Sequence, residues 1–188
     1  MDDEDDVDEF NIVLTGFMGT GKSTVGRVLA TQLEYAFVDT DEIIEQRHGP
    51  IATIFEHRGE EAFRTIEREV AAELATHVRT VIATGGRMLL DPANIAALTR
   101  RGRVFCLTAT PDEILARVTT DAARVDRPLL AGPGTARTIN DLLARRREGY
   151  GQFQQIATDG RSPQSIADEI ATQRRRSGSA SGPSSSGG

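Results

Sequence analysis

The sequence has little lysine, little cysteine and no long apolar run, and each shortage excludes something. Of 22 basic residues, only Lys22 is a lysine; the others are all arginine. Cys106 is the only cysteine, so no internal disulfide can form. It lies in Val104-Phe105-Cys106-Leu107, which reads as a buried strand carrying an inert thiol. No apolar stretch approaches the ~20 residues of a membrane-spanning helix. Positive charge is not in excess. The formal net charge is -6, and seven of the 28 acids fall in the first nine residues. The remaining body is almost neutral, which gives no electrostatic case for a nucleic-acid partner. The acidic start lacks the basic and apolar regions of a secretory signal. A reducing, cytoplasmic setting without membrane or nucleic-acid partners is therefore expected.

What is present suits one compact domain. The chain has 188 residues, 38% of them hydrophobic and 27% charged. Residues 1–9 read as an acidic, solvated tail and residues 177–188 as a Ser/Gly-rich tail. The expected domain is 10–176. Short apolar runs mark strands at Asn11–Thr15, Ala36–Val38, Thr80–Ala83, Val104–Leu107 and Gln155–Thr158. Helical spacing alternates with them: Lys22–Glu34, Asp41–Arg47, Ile51–His77 with a break near Gly59, a helix opened by Asp91-Pro92, and one opened by Thr110-Pro111. Residues 121–136 read as a long loop. A helix opens at Thr138 and runs to about Tyr150, and Ser162-Pro163 caps the last one. The pattern predicts a three-layer α/β/α fold around a mainly parallel, five-stranded sheet. Ligands in such sheets bind beyond the C-terminal strand ends.

After the first strand comes Gly16-Phe17-Met18-Gly19-Thr20-Gly21-Lys22-Ser23, which matches G-x-x-x-x-G-K-[ST] between a strand and a helix. The glycines let backbone N–H groups turn inward around phosphate oxygens. The helix starting near Lys22 adds its positive end. Lys22 suits the β- and γ-phosphates, and the Ser23 hydroxyl suits Mg²⁺. A nucleotide site follows. GTPase base reading through N-K-x-D is excluded, because Lys22 is the only lysine. The small size argues against a motor or helicase core, leaving a small-molecule kinase. Asp39-Thr40-Asp41 ends the second strand. Those two carboxylates suit Mg²⁺ and an acceptor hydroxyl, with Asp41 as a plain helix cap the simpler alternative. His48, His57 and His77 lack metal-ligand spacing and receive no role.

These pieces, together with Gly59-Glu60-x-x-Phe63-Arg64-x-x-Glu67, Thr84-Gly85-Gly86 and Arg127-Pro128-Leu129-Leu130-Ala131-Gly132, make the chain resemble the shikimate kinases over nearly its whole body. The resemblance implies a P-loop kinase fold with a mobile lid over about 121–136. It implies transfer of the γ-phosphoryl of ATP to the 3-hydroxyl of shikimate, with Mg²⁺ as cofactor, by a monomer. By similarity, Gly19, Thr20, Gly21, Lys22, Ser23 and Thr24 bind nucleotide, and Ser23 and Asp39 hold the metal. Asp41 orients the substrate hydroxyls and accepts a proton. Arg64 faces the substrate carboxylate, with an ion pair to Glu60 or Glu67 as the bland alternative. Gly85 and Gly86 approach the substrate closely. A second carboxylate arginine four residues before a tyrosine selects Arg146, with Arg147 as the alternative. Arg127 is the lid arginine that assists catalysis at the nucleotide. Arg117 and Arg161 are the candidates for adenine. The family has three glycines where this chain has Gly85-Gly86-Arg87. Two other readings stand beside a shikimate kinase: a related kinase with another hydroxy-acid acceptor, and a nucleotide-binding module without transfer activity.

Overall fold

The computed structural model describes residues 10–120 and 134–176. Five strands form one sheet: β1 (Asn11–Gly16), β2 (Ala36–Asp39), β3 (Thr80–Ala83), β4 (Gly102–Thr108) and β5 (Gln154–Ala157). The order is β2-β3-β1-β4-β5 and every neighbouring pair is parallel. Parallel neighbours require crossovers, and these are the helices α1 (Lys22–Leu33), α2 (Thr40–His48), α3 (Ile51–Leu74), α4 (Pro92–Thr99), α5 (Pro111–Thr120) and α6 (Thr135–Gly151); α7 (Pro163–Arg176) follows the last strand.

Strand alternation divides the apolar residues between two faces. Ile12 and Leu14 of β1 join α1 and α7 through Val25, Leu29, Ile166 and Ile170. Val13 and Ile82 turn the other way, onto Ile66, Val70 and Leu74 of α3 and Leu98 of α4. A third cluster joins Phe17 and Cys106 to α5 and α6 through Ile114, Val118, Ile139 and Tyr150. The expected three layers are present. Burial pushes the Cys106 thiol up to about 11, as befits an inert strand cysteine.

Several boundaries differ from the sequence reading. The helix expected from Thr138 starts at Thr135, after a left-handed Gly134. The last strand begins at Gln154 and stops at Ala157; Thr158 then bonds back to the Thr108 carbonyl through its amide. Gly59 breaks α3 with φ 80°. The cap of α2 is Asp39, whose Oδ1 accepts the Asp41 amide at 3.0 Å. Asp41 is therefore freed from the capping task. Among the described residues no helix is long and apolar enough to cross a membrane. The two tails, and the expected lid with Arg127, lie outside the described residues apart from 134–136.

Candidate active site

The sheet changes direction around β1, whose two neighbours, β3 and β4, come later in the chain. The chain leaves β1 toward α1 on one face and β3 toward α4 on the other, which opens a crevice at the C-terminal edge. The loop after β1 turns through three glycines with positive φ: Gly16 at 130°, Gly19 at 77° and Gly21 at 90°. Gly16 also has no room for a side chain, because a Cβ there would lie 2.2 Å from the Leu107 carbonyl oxygen. The Thr20 hydroxyl donates to the Phe17 carbonyl at 2.8 Å and closes the turn. Lys22 folds back over it, its Nζ donating to the Gly16 and Phe17 carbonyls at 3.0 Å each. The loop thus presents a cation beside the start of α1, an arrangement suited to phosphate. Thr24 is exposed on the first turn of α1.

The end of β2 reaches the same place. The Ser23 hydroxyl donates to Asp39 Oδ2 at 2.5 Å, while the other oxygen of Asp39 caps α2. Two hard oxygen groups are so held together at the loop. Among the described residues no three His, Cys, Asp or Glu side chains gather as a metal cage. A small oxygen set that leaves positions for water and phosphate fits Mg²⁺.

Asp41 stands one residue beyond Asp39. Burial, and secondly repulsion from Asp39, push its carboxyl up to about 6, and the Lys22 charge opposes the rise. A carboxylate poised near 6 is ionised at neutral pH and basic enough to take a proton.

Gly85 completes this corner. Its amide donates to Thr40 Oγ1 at 2.9 Å, and a Cβ on it would lie 2.6 Å from Asp41 Oδ1 and 3.4 Å from Glu67 Oε1. Asp41, Glu67 and Gly85 therefore share one corner of the crevice. Glu67 is buried, and burial raises its carboxyl above the ordinary range despite the neighbouring Arg64. Arg64 donates Nη1 to Glu67 at 2.5 Å, and Nε and Nη2 to Glu60 at 3.3 and 3.1 Å. The bland alternative for Arg64 is thus correct as far as it goes, with both glutamates and not one.

The three arginines 145–147 separate cleanly. Arg145 and Arg147 are exposed, and Arg147 lines a cavity with Phe17, Thr20 and Asn140. Arg146 is buried, its guanidinium 5.2 Å from the Phe17 ring centre, and its Nη1 would lie 3.6 Å from a Cβ on Gly86. Tyr150, one helical turn later, donates its hydroxyl to the Gly86 carbonyl. The tyrosine spacing selects the arginine that faces the glycine turn.

One of the two adenine candidates lies elsewhere. Arg161 ties the end of β5 to α7 through the Ala157 carbonyl (3.0 Å), Ser165 and Glu169 (2.6 Å), none of them in the phosphate loop. Arg117 instead reaches the loop, donating Nη1 to the Gly19 carbonyl at 3.2 Å and to Thr158 Oγ1 at 3.0 Å. The structure adds Glu67, Tyr150 and Thr40 to the site. The spacing Arg64-x-x-Glu67 on one helix face was the available signal for the first. Thr40 and Tyr150 act through contacts 45 and 64 residues away in the chain, which no local pattern reveals.

A phosphate loop, two carboxylates, two glycines and two arginines thus converge from five separate segments. The family model for shikimate kinase matches residues 18–175. The chain belongs to the shikimate kinase family. It is 45% identical to the shikimate kinase of Moorella thermoacetica over 163 residues, 85% of this chain and 91% of that one. It is 40% identical to that of Caldanaerobacter subterraneus subsp. tengcongensis, also over 163 residues, covering 85% and 93% of the two chains. A solved shikimate kinase from Acinetobacter baumannii, in complex with shikimate, superposes with a TM-score of 0.83 at 35% identity, covering 90% of this chain and 94% of its own. A gluconokinase from Sinorhizobium meliloti shares the fold alone, with a TM-score of 0.61 at 16% identity. Membership in the family makes the chain a kinase that uses ATP.

Proposed function

We propose that the protein transfers the γ-phosphoryl group of ATP to the 3-hydroxyl of shikimate, with the residues of this crevice in the following roles. The observation that carries the reading is the corner shared by Asp41, Gly85 and Glu67, beside a phosphate loop. A ring bearing hydroxyls and a carboxylate finds a base at one end and guanidinium groups at the other. Gly19, Thr20, Gly21, Lys22, Ser23 and Thr24 take the nucleotide phosphates. Lys22 exchanges its two loop carbonyls for phosphate oxygens. Arg64, oriented by Glu67, and Arg146, held on Phe17, take the substrate carboxylate; a planar fork matches two carboxylate oxygens. Gly85 and Gly86 leave room for the ring.

In the transfer step the 3-hydroxyl oxygen bonds to the γ-phosphorus as the bond to the ADP oxygen breaks. Asp41 accepts the hydroxyl proton, so no proton is lost to bulk water before the bond forms. Ser23 and Asp39 are the residues that would hold Mg²⁺, which when bound neutralises charge on the phosphates. Arg127 is assigned the lid role on sequence grounds. The Arg161 contacts favour a supporting role in the loop after β5, and Arg117 is the better placed of the two toward the nucleotide.

A coupled ADP-release assay tests this. Release should depend on ATP, Mg²⁺ and shikimate together. Release only with other hydroxy acids would replace the acceptor, and none with any acceptor would leave a binding module.

A further inference from the structure

Arg87 stands where the family pattern has a third glycine, and the cavity it lines is also lined by Arg64. That cavity has a volume of about 570 Å³ and includes Glu60, Arg64, Arg68, Arg87 and Asp91. One oxygen, Glu60 Oε1, serves both arginines. It lies 2.6 Å from Arg87 Nη1, but 3.1 and 3.3 Å from Arg64 Nη2 and Nε. The shorter bond is to Arg87. Glu60 therefore sits across the Nε–Nη2 edge of Arg64, the edge a substrate carboxylate needs. Glu67 holds the remaining Nη1 and is buried, with a side-chain exposure of 3%. Glu60 is the movable glutamate, with a side-chain exposure of 53%.

The charges show what Arg87 changes. Arg64 against Glu60 and Glu67 alone leaves an excess negative charge, which repels an arriving carboxylate. Arg87 cancels that excess around Arg64; Arg68 and Asp91 cancel each other through their own 3.0 Å pair, which leaves Glu61 as the one further charge on the cavity wall. We infer that Arg87 is a positioning residue for the acceptor: it holds Glu60 when a substrate carboxylate displaces Glu60 from Arg64. The inference rests on the reading of Arg64 as the carboxylate partner. In this arrangement Glu60 bonds the Nε–Nη2 edge of Arg64, and Arg87 receives it on substrate binding. Exchange of one carboxylate for another keeps the Nε–Nη2 edge of the partly buried Arg64 paired.

Steady-state kinetics at saturating Mg²⁺-ATP, with shikimate varied, tests the exchange. Arg87→Gln should raise KM about threefold to fivefold, the scale of an exposed ion pair, and leave kcat within about twofold. Arg87→Lys should restore most of the loss. In a Glu60→Gln background, Arg87→Gln should leave KM nearly unmoved, because no displaced charge then needs a partner. The melting temperature of each variant guards against misfolding. An unchanged KM in Arg87→Gln, beside a raised KM in Arg64→Ala, would overturn the inference alone. A full-sized Arg87 effect in the Glu60→Gln background would overturn it too, making Arg87 a direct ligand. An unchanged KM in Arg64→Ala would bring down the carboxylate reading itself.

Discussion

At the scale of single residues, Asp41 shows how position sets chemistry. Its carboxyl is pushed up to about 6 by burial and by Asp39. A raised carboxyl pKa means the native state holds its proton to higher pH than the unfolded chain. Its contribution to stability therefore falls as pH rises from near 4 through 6, and the ionised form is a cost at neutral pH. Asp41→Asn removes that cost. It should raise stability at pH 7.5 by on the order of 1 to 3 kcal/mol, a gain that fades near pH 4. The same change should lower kcat by about 10²–10⁴, the usual range for a lost general base. Thermal melting at both pH values and an activity assay check this; a destabilised variant or a fully active one would contradict it. Wild-type kcat/KM for shikimate should decline below pH 6. Lys22 belongs to this scale as well. A compact ammonium reaches two carbonyls of one tight turn and can pass to phosphate, whereas a flat guanidinium needs a matching planar partner.

At the scale of elements, two glycine turns look alike in sequence and differ in what surrounds them. A Cβ on Gly16 meets the Leu107 carbonyl of the neighbouring strand, which cannot yield. A Cβ on Gly85 meets the end of the Asp41 side chain, which can. Gly85→Ala should leave the melting temperature nearly intact yet cut kcat by about 10² through displacement of Asp41. Gly16→Ala should cost more than about 3 kcal/mol, from its clash and from a φ of 130°. Parallel melting and activity measurements separate the two; equal stability losses would refute the distinction. The helix ends follow similar logic. Asp91 before Pro92 was legible as a cap because Asp-Pro specifies it locally, and the Asp91 side chain does accept the Ala93 amide at 2.8 Å. The sequence alone points to Asp41 as the cap of α2, because strand end and cap coincide in Asp39. The start of α6 lies before the expected Thr138 because Gly134, Thr135 and Ala136 carry no apolar period to signal it.

At the scale of the whole molecule, three apolar clusters account for the layers among the described residues. The acidic composition of residues 1–9 and the Ser/Gly-rich composition of 177–188 offer little apolar side chain to a core, so a chain limited to 10–176 should melt within about 2 °C of the full chain. It should also keep its kcat. A large drop in either would give the tails a role in the fold or the site. The nearly neutral body agrees with a small-molecule acceptor, and the local pairing of charges around Arg64 matters more than net charge.

The order of strands and helices, the phosphate loop and the paired acids were determined by the sequence, because each rests on local spacing: a period of two or 3.6, a glycine where φ must be positive, a hydroxyl next to a lysine. The partners of those groups were decided by the tertiary structure alone. Which of Arg145, Arg146 and Arg147 turns inward depends on the phase of α6 against Phe17. The direction of Arg87 depends on Glu60, 27 residues earlier on another element. A side chain's charge is written in the chain, but its work depends on burial and on neighbours that only packing brings within bonding distance.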